Sequence, residues 1–301
     1  MTSLQARVLA WYRIHGRAQL PWRVTRNPYY TLVSEFMLQQ TQVDRVMTKF
    51  TEFMQVFPSI QELAVAARGD VIRLWSGLGY NSRAVRLHAL AREVVQTYAG
   101  VIPDNEAVLL SLPGVGPYTA RAIMAFAFDH DVCASDTNVF RIMHRFYVGI
   151  EFPMQASRAA LDEYASALVP HGKGHDWNGA LMDIGTSICT ARAAKCTICP
   201  LAAECVSAPI NSAELAAARR GQRASRKVAI PFAQTTRFAR GRIVHRLRAL
   251  APGEAVSLLD LKAELSPELP DEIANSLTAI LQRLRKDGLV TIDASDRIAL
   301  V

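Results

Sequence analysis

Four of the five cysteines fall in one short stretch, Cys189, Cys196, Cys199 and Cys205, spaced C-x6-C-x2-C-x5-C. A chain held in a reducing compartment seldom uses clustered cysteines as disulfides, so thiols gathered in one loop point to a metal site. Tetrahedral zinc is usually held by two C-x2-C knuckles, and here there is one. Four cysteines at irregular spacing suit an iron–sulfur cluster, and a [4Fe–4S] centre is expected. Cys133 stands apart and reads as a small buried apolar residue.

Two carboxylates carry a different chemistry. Glu35 sits inside an apolar run with Leu32, Val33, Phe36, Met37 and Leu38. A helical glutamate is ordinarily a solvated charge, but a helix apolar nearly all round is buried. A carboxyl there has its pKa raised and becomes a candidate general acid. Asp136 precedes Thr137 and Asn138 at the start of a helical pattern. Taken alone it is an N-cap. Its functional reading is a carboxylate held beside a helix N-terminus and kept ionised by it. One neutral and one ionised carboxyl is the pairing that glycosidic bond cleavage needs.

The turn Leu112-Pro113-Gly114-Val115-Gly116 leads straight into a helix opened by Pro117. Gly114 and Gly116 are expected at positive φ, close to a partner, and proline suits the first helical position. Backbone N–H groups pointing outward from such a turn suit a phosphate. A plain helix–turn–helix corner fits these five residues equally well.

The elements that must position these groups are helical. Helices are expected over 5–15, 30–40, 44–57, 60–67, 70–75, 83–98, 105–112, 139–146, 154–168 and 177–189, with no convincing alternating strand among them. The main body is therefore all-α. Between residues 215 and 250 there are ten Lys or Arg and no Asp or Glu, and 211–236 reads as a basic linker. Helices over 237–249, 257–265 and 270–287, capped by Gly288, and strands over 289–292 and 297–301 suggest a winged-helix-like module. A length of 301 residues leaves room for two or three domains. No apolar run is long enough to span a membrane, and the first 19 residues lack a signal-peptide core, so a cytoplasmic protein without a membrane partner is expected. The net charge of +7 favours an anionic partner such as nucleic acid.

Several motifs occur in order: LPWR at 20–23, VSEFMLQQTQV at 33–43, GLGY at 77–80, LPGVGPYTARAI at 112–123, DTNV at 136–139, ALMDIG at 180–185, and the four cysteines. As a set they resemble the helix-hairpin-helix base-excision DNA glycosylases with an iron–sulfur cluster, the endonuclease III superfamily, and within it the adenine DNA glycosylases of the MutY type. The resemblance covers about residues 4–205. It implies a two-lobed fold, with a cluster lobe of residues 1–25 and 135–210 and a six-helix lobe of 26–134. The linker at 211–236 and the winged-helix-like module at 237–301 follow. It implies double-stranded DNA with a mismatch or an oxidised base as partner, bound by a monomer at the nucleoid, with the target nucleotide flipped out.

In that frame Glu35 would protonate the adenine and Asp136 would stabilise the positive charge developing on the sugar. Tyr118 stands where lyase members carry a lysine. A tyrosine cannot form a Schiff base, so a monofunctional enzyme is expected. Gln40 and Tyr80 match positions that wedge into the duplex. Arg23, Thr41, Leu78 and the hairpin residues Gly114, Val115 and Gly116 would also meet DNA, and Arg192 and Lys195 on the cysteine loop could reach phosphate.

The chain departs from the pattern in places. In place of the family's 8-oxoguanine-reading C-terminal domain, the basic linker and the winged-helix-like module are expected. Gly179 replaces the usual Gln or Glu near the adenine, Asn81 a second tyrosine after Tyr80, and Thr137 a glycine. The first alternative is therefore a G·T or G·U mismatch glycosylase. The second is a DNA-binding iron–sulfur regulator without catalysis, in which both carboxylates would be dispensable.

Overall fold

The computed structural model describes residues 1–152, 155–223 and 230–301. Its contacts divide the chain into two units, residues 1–35, 103–111 and 115–227 in one and residues 36–102, 112–114 and 228–301 in the other.

The first unit contains α1 (Ser3–His15), α2 (Pro21–Val24) and the first part of α3 (Pro28–Leu38), whose sequence passes from one unit to the other after Glu35. The second unit begins with the rest of α3 and holds α4 (Val43–Val56), α5 (Ile60–Val65), α6 (Arg68–Leu74) and α7 (Ser82–Tyr98). The chain then returns to the first unit for α8 (Glu106–Ser111), α9 (Pro117–Phe128), α10 (Thr137–Tyr147), α11 (Arg158–Ala167), α12 (Gly174–Ser187) and α13 (Ser212–Arg223).

In the first unit α12 is the central helix, packed by α1, α9 and α10. Val8, Ile142, Trp177, Leu181 and Ile184 are fully or almost fully buried in its core. The helix starts are set locally. Thr2 and Gln5 form a capping box on α1, and Asp136 and Ser157 cap α10 and α11, each satisfying N–H groups that a helix end leaves unpaired. Gly174 opens α12 because a Cβ there would lie 1.9 Å from the His130 carbonyl oxygen.

In the second unit α5 and α6 pack on α7. The C-terminal module follows as α14 (Thr236–Arg248), β1 (Val256–Ser257), α15 (Leu258–Leu265), α16 (Asp271–Asn275), α17 (Leu277–Lys286), β2 (Val290–Ile292) and β3 (Arg297–Leu300). The strands form an antiparallel sheet in the order β1-β3-β2, with Val256 opposite Ile298 and Val290 opposite Leu300. α14 packs on α17 and β3 over Ile243, Leu247, Leu284 and Ile298. The module is joined to the rest of its unit by Arg248, which donates to the Ile72 carbonyl and the Asn81 side-chain oxygen, both at 2.9 Å. The carbonyl oxygen of Val301 fills the space beside Gly69, 2.7 Å from where a Cβ would stand.

Two expectations need correction. The stretch read as a linker is helical over Ser212–Arg223. Its alanine-rich sequence forms helix readily, Glu214 lies in the first turn, and Leu215 is fully buried; residues 224–229 of that stretch lie outside the described residues. The helix expected over 270–287 breaks at Ser276, whose N–H and hydroxyl both bond the Ile273 carbonyl, a local competition with the helix ladder. By contact, α9 packs on α12 and groups with the first unit. Among the described residues no helix is long and apolar enough to cross a membrane.

Candidate active site

Glu35, Tyr118, Arg23, Asp183 and Asp136 all belong to the first unit. Residues 31–37 are buried without interruption, so α3 offers Glu35 no solvated face, and it is 5 % exposed. Burial pushes its carboxyl up to about 7. A hydrogen bond from the Tyr118 hydroxyl and the positive charge of Arg23 oppose that rise, and the charge of Asp136 adds to it. Tyr118 rises well above its usual range, first through burial and then through the two carboxylates. It packs against Phe126 and Ala134. Glu35 can thus hold a proton near neutral pH where an ordinary glutamate cannot.

Arg23 is not on an open surface. It is 8 % exposed and donates to Asp183 at 2.9 Å, with its guanidinium 5.9 Å from the Phe126 ring. Asp183 is also held by Arg17, through its backbone N–H at 2.7 Å and its guanidinium at 2.6 and 2.9 Å. Arg23 therefore acts as a fixed charge beside Glu35. Gly179 leaves room for Tyr12, since a Cβ there would lie 2.4 Å from the Tyr12 hydroxyl oxygen.

Asp136 does what its local sequence suggests. One oxygen accepts the N–H groups of Asn138 and Val139 at 2.8 Å, and the other accepts from the Asn138 side chain at 2.7 Å. The Asn138 side-chain oxygen in turn accepts from Arg141 at 2.9 Å, and Arg141 donates to the carbonyls of Gly185 and Cys189 at 2.7 and 2.8 Å. A continuous hydrogen-bonded chain thus runs from the Asp136 carboxylate to the first cysteine of the loop.

The four loop cysteines line one cavity together with Ile142, Phe146 and Leu201. None is in a disulfide. Among the described residues no three His, Cys, Asp or Glu side chains surround a single-ion site. Burial pushes the Cys199 thiol up to about 11, with the neighbouring charges of Cys189, Cys205 and Cys196 adding to the rise and the Leu201 N–H opposing it. Four thiolates side by side repel one another, so the ring needs positive charge at its centre. Donors already face the sulfurs, with Arg145 3.4 Å from the Cys189 sulfur and the Ile210 N–H 3.4 Å from that of Cys196. Arg145 is itself fixed by a buried two-pronged pair with Glu151 at 2.6 and 2.7 Å. This donor set fits an iron–sulfur cluster. Arg192 and Lys195 are exposed on the same loop.

The remaining expected residues lie in two loops of the second unit and in the hairpin. Gln40 (φ 59°) is exposed. Tyr80 (φ 47°) is 38 % exposed. Thr41 donates to the Leu78 carbonyl at 3.2 Å, and Arg83 donates to the carbonyls of Phe36, Met37, Leu78 and Gly79 at 2.7 to 3.0 Å. Left-handed backbone at non-glycine residues is strained, and Arg83 is the clamp that maintains it. Leu78 is 3 % exposed, and its carbonyl is taken by Thr41 and Arg83, so it props the loop and offers no contact surface.

In the hairpin only Gly114 has positive φ, at 81°. A Cβ on it would lie about 3 Å from Arg86 and Phe36, so packing accounts for that glycine. Gly116 caps α9 at φ −105°, and a Cβ there would meet nothing within 4 Å. The Val115 side chain is buried, leaving its backbone as the part able to meet a ligand. Sequence reasoning missed Arg83 and Asp183, whose partners are backbone carbonyls or are distant in sequence, and Arg145, which joins Glu151 six residues on to the cysteine loop.

The model of the HhH-GPD superfamily of base excision DNA repair proteins matches residues 33–165. The adenine DNA glycosylase of Mycolicibacterium smegmatis is 36% identical over 301 residues, which is 100% of this chain and 97% of that protein. The adenine DNA glycosylase of Rattus norvegicus is 39% identical over 215 residues, 68% of this chain and 42% of the rat protein. Among solved structures, a thermostable thymine-DNA glycosylase superposes with a TM-score of 0.62 at 32% identity over 67% of this chain and 93% of that one. A non-covalent endonuclease III–DNA complex superposes with a TM-score of 0.56 at 20% identity over 74% of this chain and 99% of that one, a likeness of fold. With a relative of nearly equal length matched from end to end, the chain belongs to the adenine DNA glycosylase family of the HhH-GPD superfamily.

Proposed function

We propose that this protein removes mispaired adenine from double-stranded DNA, opposite 8-oxoguanine or guanine, by hydrolysing the bond between base and sugar. The observation that carries the reading is a buried Glu35 carboxyl able to hold its proton near pH 7 while the charge of Asp136 acts on it. A flipped adenine takes the Glu35 proton on a ring nitrogen. The C1′–N bond then breaks with its electron pair going to the base. The Asp136 carboxylate, whose oxygens accept from N–H groups of Asn138 and Val139, faces the cationic sugar. Water adds to C1′ and gives a proton back to Glu35, leaving free adenine and an abasic site. Tyr118 holds the Glu35 carboxyl in place. No lysine takes part, so the strand is not nicked by the enzyme.

Cys189, Cys196, Cys199 and Cys205 would hold a [4Fe–4S] cluster, which when bound supplies the positive charge that four thiolates require and ties the loop together. The exposed Arg192 and Lys195, the Gly116 end of the hairpin, and Gln40, Thr41 and Tyr80 would contact the duplex.

The test is a panel of duplexes carrying A opposite 8-oxoguanine, A·G, G·T and G·U, incubated with the enzyme and then treated with alkali. Cleavage at adenine is expected. The likeness to a thymine-DNA glycosylase makes cleavage confined to the pyrimidines the outcome that would overturn the proposal.

A further inference from the structure

The basic helix of the C-terminal module carries five arginines, Arg237, Arg240, Arg242, Arg246 and Arg248. Four have acceptors. Arg240 pairs with Asp287 and Arg242 with Glu268, Arg246 pairs with Glu264, and Arg248 is bonded to Ile72 and Asn81. Of these five, Arg237 is the one with neither an ion pair nor a hydrogen bond among the described residues. Its place is fixed instead by rings. Its guanidinium carbon lies 3.9 Å from the centre of the Tyr80 ring and 5.5 Å from that of Phe232.

A guanidinium whose flat face is covered keeps its N–H donors at the edge, which is the geometry that takes a phosphate in a two-pronged bond. The setting agrees. Tyr80, Phe232, Arg237, Arg240, Asn81 and Ser82 line one open groove. Tyr80 and Phe232 are both exposed, and the groove holds two arginines, one of them uncompensated. Arg83 lies 5.5 Å from the Tyr80 ring, but its two terminal nitrogens are taken by backbone carbonyls and Thr41, and its Nε is buried. All of these residues belong to one unit.

We propose that Arg237 binds a backbone phosphate of duplex DNA beside Tyr80, so that the C-terminal module extends the DNA-binding surface of the loop at residues 77–80. This rests on the reading that the protein acts on duplex DNA and that Tyr80 meets it. The module thus supplies an anion contact that carries no sequence information.

The test uses the full-length protein and its Arg237→Gln and Arg237→Lys variants. Dissociation constants are measured across a range of salt for an A·8-oxoguanine duplex and an undamaged duplex. Losing one phosphate contact weakens binding by roughly tenfold and lowers the slope of log K against log salt by about 0.9. Arg237→Gln is expected to show both changes on both duplexes, while Arg237→Lys keeps the slope. Wild-type affinity and slope in Arg237→Gln would overturn the proposal. So would weakening with an unchanged slope, a loss confined to the damaged duplex, tighter binding, or a slope lost equally in Arg237→Lys. Adenine release by the wild-type protein is scored in parallel. If it is absent while the salt pattern is as expected, the base-removal reading fails and the Arg237 contact stands.

Discussion

The hydroxyl of Tyr118 donates a hydrogen bond to the Glu35 carboxyl, in a site where both side chains are raised in pKa by burial. The bond stabilises the ionised glutamate and opposes the burial that favours the neutral form. Tyr118→Phe removes the donor, so Glu35 should titrate above its present value of about 7. The pH profile of base release in the variant should move to the alkaline side. An acid-side shift would contradict the assignment.

Glu35→Gln should abolish proton donation while keeping the shape of the side chain. A fall in single-turnover base release of about 10²- to 10⁴-fold is expected. Stability should move the other way. The folded-state pKa of Glu35, about 7, exceeds its ordinary value of 4.5. Proton binding therefore favours the folded state, and that contribution is full below about 4.5 and lost as pH rises through about 7. Above that range the buried charge destabilises by on the order of 3 kcal/mol. Thermal melts should show Glu35→Gln more stable than wild type at pH 8 and little changed at pH 4.

Asp136 has two roles that separate by substitution. Asparagine is as good an N-cap as aspartate, whereas alanine loses roughly 1 kcal/mol. Asp136→Asn should therefore melt close to wild type and Asp136→Ala lower, with base release lost in both. Retained base release in Asp136→Asn would remove the carboxylate from the chemistry.

Cys196→Ala or Cys199→Ala should yield protein without the brown colour of an iron–sulfur cluster and with reduced stability, read by absorbance and thermal melting. A soluble, colourless and fully active variant would contradict the role given to these cysteines.

What was legible in the sequence was what is local. Asp136 caps α10 through bonds to residues two and three positions on, so its neighbourhood is written beside it. Burial of Glu35 follows from the mostly apolar stretch around it, and the cysteine spacing announces its own loop. Arg23 was legible as part of a motif but not as a buried charge, because its partner Asp183 lies 160 residues away. Asn81, an apparent departure from the family, accepts a bond from Arg248 in the C-terminal module. Gly179 gives way to the Tyr12 ring from α1. β1 is two residues long, too short for an alternating pattern, and exists because β3 pairs with it. Tertiary partners decide each of these, and no local signal carries them.

The most direct test is the single-turnover rate of adenine release from an A·8-oxoguanine duplex as a function of pH, for wild type and Glu35→Gln. With Glu35 as proton donor, the wild-type rate should fall as pH rises through about 7, and the variant should show neither that rate nor that titration. A wild-type rate flat from pH 5 to 9, or a variant as fast as wild type, would contradict the account.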